Sequence, residues 1–255
     1  MHPLDYKGCI FNALREVECM NVVEQYNLTL QIEVLKEQSA ETLARLCNLA
    51  DGSGTSDCVE LLKAYSHIVN TELYLATSIY ELDILKLDMV KLENTIKESL
   101  AQASHDISDV KAVKETSDVQ AIESYSSEDF DKALERTIDL LTFNKNISST
   151  PRAVILGGQS GAGKTTIHRV KMLESKGNYI VIDGDTYRAQ HPYFRELQEK
   201  YGVDSVDYTK MFAGKMVEAV IDKLSSLKYN LIIEGTLRSA AVPINTATLL
   251  KSKGY

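Results

Sequence analysis

The stretch Ala153-Val154-Ile155-Leu156, followed by Gly158-Gln159-Ser160-Gly161-Ala162-Gly163-Lys164-Thr165, constrains the fold more tightly than any other part of the chain. A short apolar run of strand type leads into G-x-x-x-x-G-K-[ST], an order that predicts a strand, a phosphate loop and a helix in succession. Glycines let such a loop curl until successive backbone N–H groups point inward, and the helix that follows adds the positive end of its dipole. Gly158, Gln159, Ser160, Gly161, Ala162, Gly163, Lys164, Thr165 and Thr166 are therefore the candidate nucleotide-binding residues. Lys164 is expected to meet the β and γ phosphates of ATP or GTP, and Thr165 to offer its hydroxyl to Mg²⁺.

Two further apolar runs end in acids. Tyr179-Ile180-Val181-Ile182 leads into Asp183-Gly184-Asp185, and Leu231-Ile232-Ile233 leads into Glu234-Gly235-Thr236. Ligands of open parallel sheets bind outside the carboxyl ends of the strands, so Asp183, Asp185 and Glu234 are expected in one crevice with the phosphate loop. Any single one could instead cap a following helix. Phosphoryl transfer to a hydroxyl needs one carboxylate to accept its proton and another near the metal, for which Asp183 and Thr165 are the candidates. His191, before Pro192, reads as structural, and Glu218, in an amphipathic helical pattern, reads as a surface acid.

Glycine and proline divide the chain: Gly8, Gly52 and Gly54 are the only glycines before residue 151, and no proline lies between Pro3 and Pro151. A helical first half and an α/β second half follow. Residues 1–124 carry 21 acids against 10 Lys plus Arg, whereas residues 151–255 carry 10 against 15, a formal −11 and +5. Opposite fields favour docking of the first half across the phosphate-binding second, although acidic helices can equally be solvated. In the first half, Leu28, Ile32, Leu35, Leu43, Leu46 and Leu49 mark a helical face that Asp51-Gly52-Ser53-Gly54 ends. A second helix is expected from about Asp57 past residue 100, with Leu82, Leu85, Met89, Leu92, Ile96 and Leu100 as its buried stripe. Such a stripe suits a bundle core or an oligomer seam, and core packing is the expectation.

Residues 104–124 lose this regularity and read as a linker between a helical unit, 1–103, and an α/β unit, 125–255. Ser126 and Asp129 have capping-box spacing, opening a helix whose Phe130, Ala133, Leu134, Ile138 and Leu141 face the sheet. The cysteines, Cys9, Cys19, Cys47 and Cys58, lack metal-site or disulfide-framework spacing and are expected as reduced thiols. No apolar run is long enough to cross a membrane, the start does not read as a leader, and the net charge of −8 without a DNA-binding motif argues against nucleic acid. A cytoplasmic location is expected.

The segments Leu156-Gly157-Gly158-Gln159-Ser160-Gly161-Ala162-Gly163-Lys164-Thr165-Thr166, Ile182-Asp183-Gly184-Asp185-Thr186-Tyr187-Arg188, Gln190-His191-Pro192 and Tyr229-Asn230-Leu231-Ile232-Ile233-Glu234-Gly235-Thr236-Leu237-Arg238 resemble the zeta toxins of bacterial epsilon/zeta systems, most closely the PezT type. The resemblance covers residues 125–255. It implies a P-loop kinase fold that transfers a γ-phosphoryl group to the 3′-hydroxyl of UDP-N-acetylglucosamine, blocking cell-wall synthesis. It makes Lys164 the phosphate-binding lysine and Asp185 the general base. Glu218, Glu234, Thr236 and Arg238 join Asp185 in the substrate site on the same ground. Tyr26-Asn27-Leu28-Thr29-Leu30-Gln31-Ile32-Glu33-Val34-Leu35-Lys36-Glu37 and Asn70-Thr71-Glu72-Leu73-Tyr74 resemble the toxin-binding helices of PezA-type antitoxins, without their helix-turn-helix domain. An antitoxin segment fused ahead of its toxin, inhibiting it in cis, is the implied arrangement.

The chain stops at Lys253-Gly254-Tyr255, where the resemblance implies a further strand and, beyond it, phosphate-clamping arginines. The parallel sheet is accordingly expected to be incomplete at its carboxyl end. Two other readings stay open: a P-loop kinase for another small hydroxylated metabolite, and a catalytically dead fusion that binds and neutralises a complete toxin.

Overall fold

The computed structural model describes residues 22–50, 56–107, 122, 124–158, 162–235 and 239–255. The stop expected at Asp51–Gly54, Cys9 and Cys19, and most of the expected linker lie outside these residues. Among the described residues the first half has four α-helices: α1 (Val22–Ala50), α2 (Ser56–His67), the short α3 (Leu73–Leu75), joined to α2 by a π turn over Ile68–Glu72, and α4 (Ile79–Ile107). The second half runs α5 (Ser127–Thr142), β1 (Ala153–Gly157), α6 (Lys164–Glu174), β2 (Ile180–Asp183), a 3₁₀ helix (Gly184–Gln190), α7 (Phe194–Tyr201), α8 (Ser205–Ser226), β3 (Leu231–Gly235) and α9 (Ala241–Ser252).

The single helix expected from Asp57 past residue 100 is thus broken at Ala76–Ser78, without glycine or proline. Side chains make the break. The Glu81 carboxylate accepts from the backbone N–H and the hydroxyl of Thr77, while Ser78 Oγ accepts from the N–H of Glu81. Ser78 and Glu81 therefore open α4 with the S-x-x-E spacing of a capping box. At the other end of the chain's helical register, Leu49 also departs from expectation. It is 61% exposed, whereas Leu28, Ile32, Leu43 and Leu46 of the same helix are buried. The stripe on α4 packs as expected: Leu82, Met89, Ile96 and Leu100 are buried, and Leu85 and Leu92 lie against them. Ser126 and Asp129 complete their capping box, the Asp129 N–H donating to Ser126 Oγ and the Ser126 N–H to the Asp129 carboxylate.

The three strands are parallel in the order β1-β3-β2. Val154, Ile232 and Val181 are in register, as are Leu156, Glu234 and Asp183, so the carboxylates of β2 and β3 end side by side. Side chains alternate between two cores, as the pleat requires. Ile180, Ile182, Leu231 and Ile233 join Phe212, Met216, Val220 and Leu224 of α8, together with Ala133, Ile138 and Leu141 of α5 and Leu250 of α9. Leu156, Val181 and Ile232 join Met172 of α6 and the buried residues of α1 to α4. The amino-terminal helices are therefore continuous with the core on one face of the sheet. Among the described residues no helix is long and apolar enough to cross a membrane.

Candidate functional site

The phosphate loop leaves β1 through Gly158, whose φ of +149° and lack of a Cβ let it pass Ala162; an added Cβ would stand 2.9 Å from that side chain. Gly163, at φ +80°, turns the chain into α6 in the left-handed region that glycine tolerates. Lys164 then bends back over the loop, donating to the Gly158 carbonyl at 3.0 Å and lying 3.3 Å from Glu234 Oε1. Thr165 is buried in the first turn of α6 and Thr166 is exposed. Gln159, Ser160, Gly161, Thr236 and Arg238 lie outside the described residues.

Gly158, Lys164, Asp183, Asp185 and Glu234 line one cleft of about 610 Å³, together with Arg188 and residues of α7 and α8. The strand ends and the phosphate loop thus converge as the parallel topology requires. Glu218 does not line this cleft; it is exposed on α8, next to Val217, whose side chain packs closely over Gly184. Asp185 sits on the rim, its side chain 82% exposed and 3.1 Å from the Arg188 guanidinium. His191 is fully buried, with its ring edge-on to Tyr125 and Phe212, a structural position.

The cleft has a wall from the first half of the chain. Glu33, Glu37, Ala40 and Glu41 of α1 line it, and Lys36 of the same helix reaches beneath them to Asp183, Nζ to Oδ2 at 3.0 Å. The other Asp183 oxygen accepts from the N–H of Asp185. Burial works against the Lys36 charge, but Tyr74, Asp183 and Glu234 outweigh it and hold its pKa above the ordinary lysine value. For Asp183, burial is likewise outweighed, chiefly by Lys36, and the carboxyl is held below its ordinary range. Glu234 goes the other way: burial and the neighbouring Asp183 raise it against the pull of Lys36 and Lys164.

His168, one turn beyond Lys164 on α6, completes the cluster. Its Nε2 lies 3.3 Å from Glu234 Oε2 and its ring meets Tyr74 edge-on at 5.5 Å. Neither ring nitrogen completes a hydrogen bond, and burial, with Lys36 nearby, lowers the pKa to about 4. The ring is neutral at physiological pH, so its approach to Glu234 is a contact and not an ion pair.

Around the site hydrogen bonds cross between the halves in both directions: Asn48 and Ser66 of the first donate to the Ala189 and Leu140 carbonyls, and basic side chains of the second donate back. Arg169 donates to Thr29 Oγ1 and to the Ala76 carbonyl, which the break before α4 leaves open. Arg136 donates to the Cys47 carbonyl and to Asn48 Oδ1, and Lys145 to Thr71 Oγ1. The charge imbalance read from the sequence therefore acts here through neutral oxygens. Where an ion pair does cross the halves at the site, Lys36 to Asp183, the cation comes from the acidic half. Sequence reasoning passed over Lys36, Arg136, His168 and Arg169, because a basic residue on an amphipathic helix declares no partner until the fold supplies one.

Comparisons with known proteins divide the chain at the same place. Residues 135–255 match the zeta toxin family and residues 24–99 the bacterial epsilon antitoxin family. Toxin PezT of Streptococcus pneumoniae serotype 4 is 60% identical over 134 residues, 52% of this chain and 53% of that protein. Toxin zeta of Streptococcus agalactiae is 42% identical over 134 residues, 52% of this chain and 47% of that protein. The chain spans about half the length of the curated relatives it matches. A solved structure from the molecular and structural characterization of the PezAT chromosomal toxin-antitoxin system of Streptococcus pneumoniae is 60% identical, with a TM-score of 0.52 over 52% of this chain and 56% of that one. A parallel sheet with a strand–phosphate loop–helix unit, walled by amino-terminal helices, thus agrees with a chain in which a segment similar to the bacterial epsilon antitoxins, residues 24–99, precedes a segment similar to the zeta toxins, residues 135–255.

Proposed function

We propose that the second half is a kinase that transfers the γ-phosphoryl group of ATP or GTP to the 3′-hydroxyl of UDP-N-acetylglucosamine in the cytoplasm, and that the first half holds it inactive in cis. The observation that carries this reading is the seating of the Lys36 ammonium of α1 on Asp183, a residue that lines the cleft the phosphate loop opens onto. While that helix lies there, Lys36 takes one Asp183 oxygen, and a nucleotide would have to share the cleft with α1. The glutamates of α1 add carboxylates to the wall facing its phosphates, and like charge at such distances repels.

In the open site the loop N–H groups and Lys164 would hold the β and γ phosphates, and Asp185, exposed on the rim, would accept the proton of the substrate hydroxyl. Glu218, Glu234, Thr236 and Arg238 are proposed for the sugar-nucleotide side. The donors fit a hard cation: Asp183 already receives one, the Lys36 ammonium, and Thr165 offers a hydroxyl, so these two residues would hold Mg²⁺. When bound, Mg²⁺ would neutralise charge on the transferring phosphates. Covalent tethering favours the closed state, since a linker presents the blocking helices at an effective concentration on the order of millimolar.

The test compares phosphate transfer from ATP and GTP by the intact chain and by an Ile32→Asp variant, which places a charge at a fully buried position of α1 and keeps the sequence of the second half. Transfer to UDP-N-acetylglucosamine by the variant alone supports the proposal. Transfer to another hydroxylated acceptor would replace the substrate, and equal transfer by both proteins would remove inhibition in cis. Nucleotide binding without transfer to any acceptor would favour a fusion that acts only by binding.

A further inference from the structure

The Lys36 side chain is 10% exposed, belongs to the first half, and ends among groups of the second. Its Nζ lies 3.0 Å from Asp183 and 5.9 Å from the centre of the Tyr74 ring, while Lys164 lies 3.3 Å from Glu234. The cluster therefore holds two carboxylates and two ammonium groups, with His168 neutral and the Tyr74 hydroxyl buried among them. Its charge balances only while α1 is closed. Withdrawal of Lys36 leaves Asp183 and Glu234 against Lys164 alone, and a partly buried pair of carboxylates with one counter-charge attracts another cation. An ammonium and a hydrated divalent ion are both hard cations that seek carboxylate oxygen.

We propose that Lys36 stands in the position of the divalent cation, so that closure of α1 and metal binding at Asp183 exclude each other. This rests on the reading of the cleft as a phosphate-transfer site and adds a control to it. The closed chain has little affinity for a divalent ion at Asp183, and the ion, binding only the open chain, shifts the population toward it. Glu33, Glu37 and Glu41 of the same helix line the cleft of the phosphate loop, but Lys36 is the α1 group that reaches Asp183.

Mn²⁺ is the probe, titrated by its electron paramagnetic resonance signal into the full chain, Lys36→Met, Lys36→Arg and the double variant Lys36→Met/Asp183→Asn. Lys36→Met is expected to bind Mn²⁺ at least tenfold tighter than the intact chain, Lys36→Arg to stay within about twofold of it, and the double variant to lose the gain. Equal Mn²⁺ affinity in Lys36→Met and the intact chain, a matching gain in Lys36→Arg, or a gain that survives Asp183→Asn overturns the proposal. A second measurement needs no substitution: saturating Mn²⁺ should speed amide exchange across Thr29–Ala40 of the intact chain, and unchanged exchange also overturns it. Nucleotide titration of the same proteins separates the two ideas. Nucleotide binding by Lys36→Met without a gain in Mn²⁺ affinity sinks the role of Lys36 and leaves the kinase reading standing, whereas loss of both sinks both.

Discussion

The two faces of the three-stranded sheet are built from the same strands but covered by different parts of the chain. Ile180, Ile182, Leu231 and Ile233 look toward α5, α8 and α9, all from the second half. Leu156, Val181 and Ile232 share their core with α6 and with the amino-terminal helices. The first face belongs to the second half of the chain alone, while the second depends on the first half for much of its cover. An inhibitor that only plugged a cleft could leave without consequence for the sheet. Here the blocking helix belongs to the structure that shields apolar strand surface, so opening the site also exposes apolar area, worth about 25 cal/mol per Å². Inhibition and folding are thereby coupled.

Neighbouring residues on β3 offer the strongest way to break this comparison. Leu231→Ala and Ile232→Ala each empty a fully buried position and should each cost about 2 to 5 kcal/mol in urea unfolding. Only Ile232→Ala should also speed proteolysis within α1 and α2, as its cavity lies on the shared face. Equal protease sensitivity in both variants would mean that the faces are not distinct.

Acid should act on the shared face next. His168 titrates at about 4 in the folded chain against an ordinary value of 6.5, so between these limits the unfolded chain binds a proton that the folded chain does not. Stability therefore falls as pH drops from about 6.5 toward 4, by about 3 kcal/mol from this group. Lys36, held above its ordinary value, stays charged throughout that window; Asp183, held below its own, adds to the fall only near its lower end, and Glu234, held above its own, takes up a proton in the folded chain and offsets part of the fall. Unfolding free energies measured at pH 7 and pH 4.5 should differ less in His168→Gln than in the intact chain; an undiminished difference would assign the acid limb elsewhere.

Arg169→Met should cost about 1.5 to 3 kcal/mol, since it strips charged donors from Thr29 and from the Ala76 carbonyl while keeping the apolar stem. The loss should appear chiefly as faster amide exchange at Thr77–Glu81, where α4 begins. Leu49→Ala is the smallest change. At 61% exposure its expected effect is within about 0.5 kcal/mol, and a larger loss would show that Leu49 packs against something in solution.

These residues also show how far the sequence could be read. The strand–loop–helix unit, the acids at the strand ends and the buried stripe of α4 were legible because each rests on local spacing: glycines at fixed offsets, a period of two, a period near 3.6. The Ser78–Glu81 box was present in the sequence as well, but the absence of glycine and proline masked it, since a helix can be stopped by side chains that offer the backbone other partners. Leu49 fits a helical period and still faces outward, because periodicity identifies a face without fixing how far the neighbouring helix extends. Lys36 was illegible for a different reason. Its partner is 147 positions away, and net charge argued for the opposite polarity. Summed charge describes long-range steering, whereas the contact at the site is decided by the few groups that are buried together.

The account stands or falls on whether α1 closes the phosphate site. The most direct measurement is the affinity of a fluorescent ATP or GTP analogue for the intact chain and for Lys36→Glu, which sets a third carboxylate against Asp183 and Glu234 and drives the helix off. The account predicts at least a tenfold tighter nucleotide affinity in the variant. Equal and tight binding by both proteins would contradict it, for the site would then be open with α1 in place.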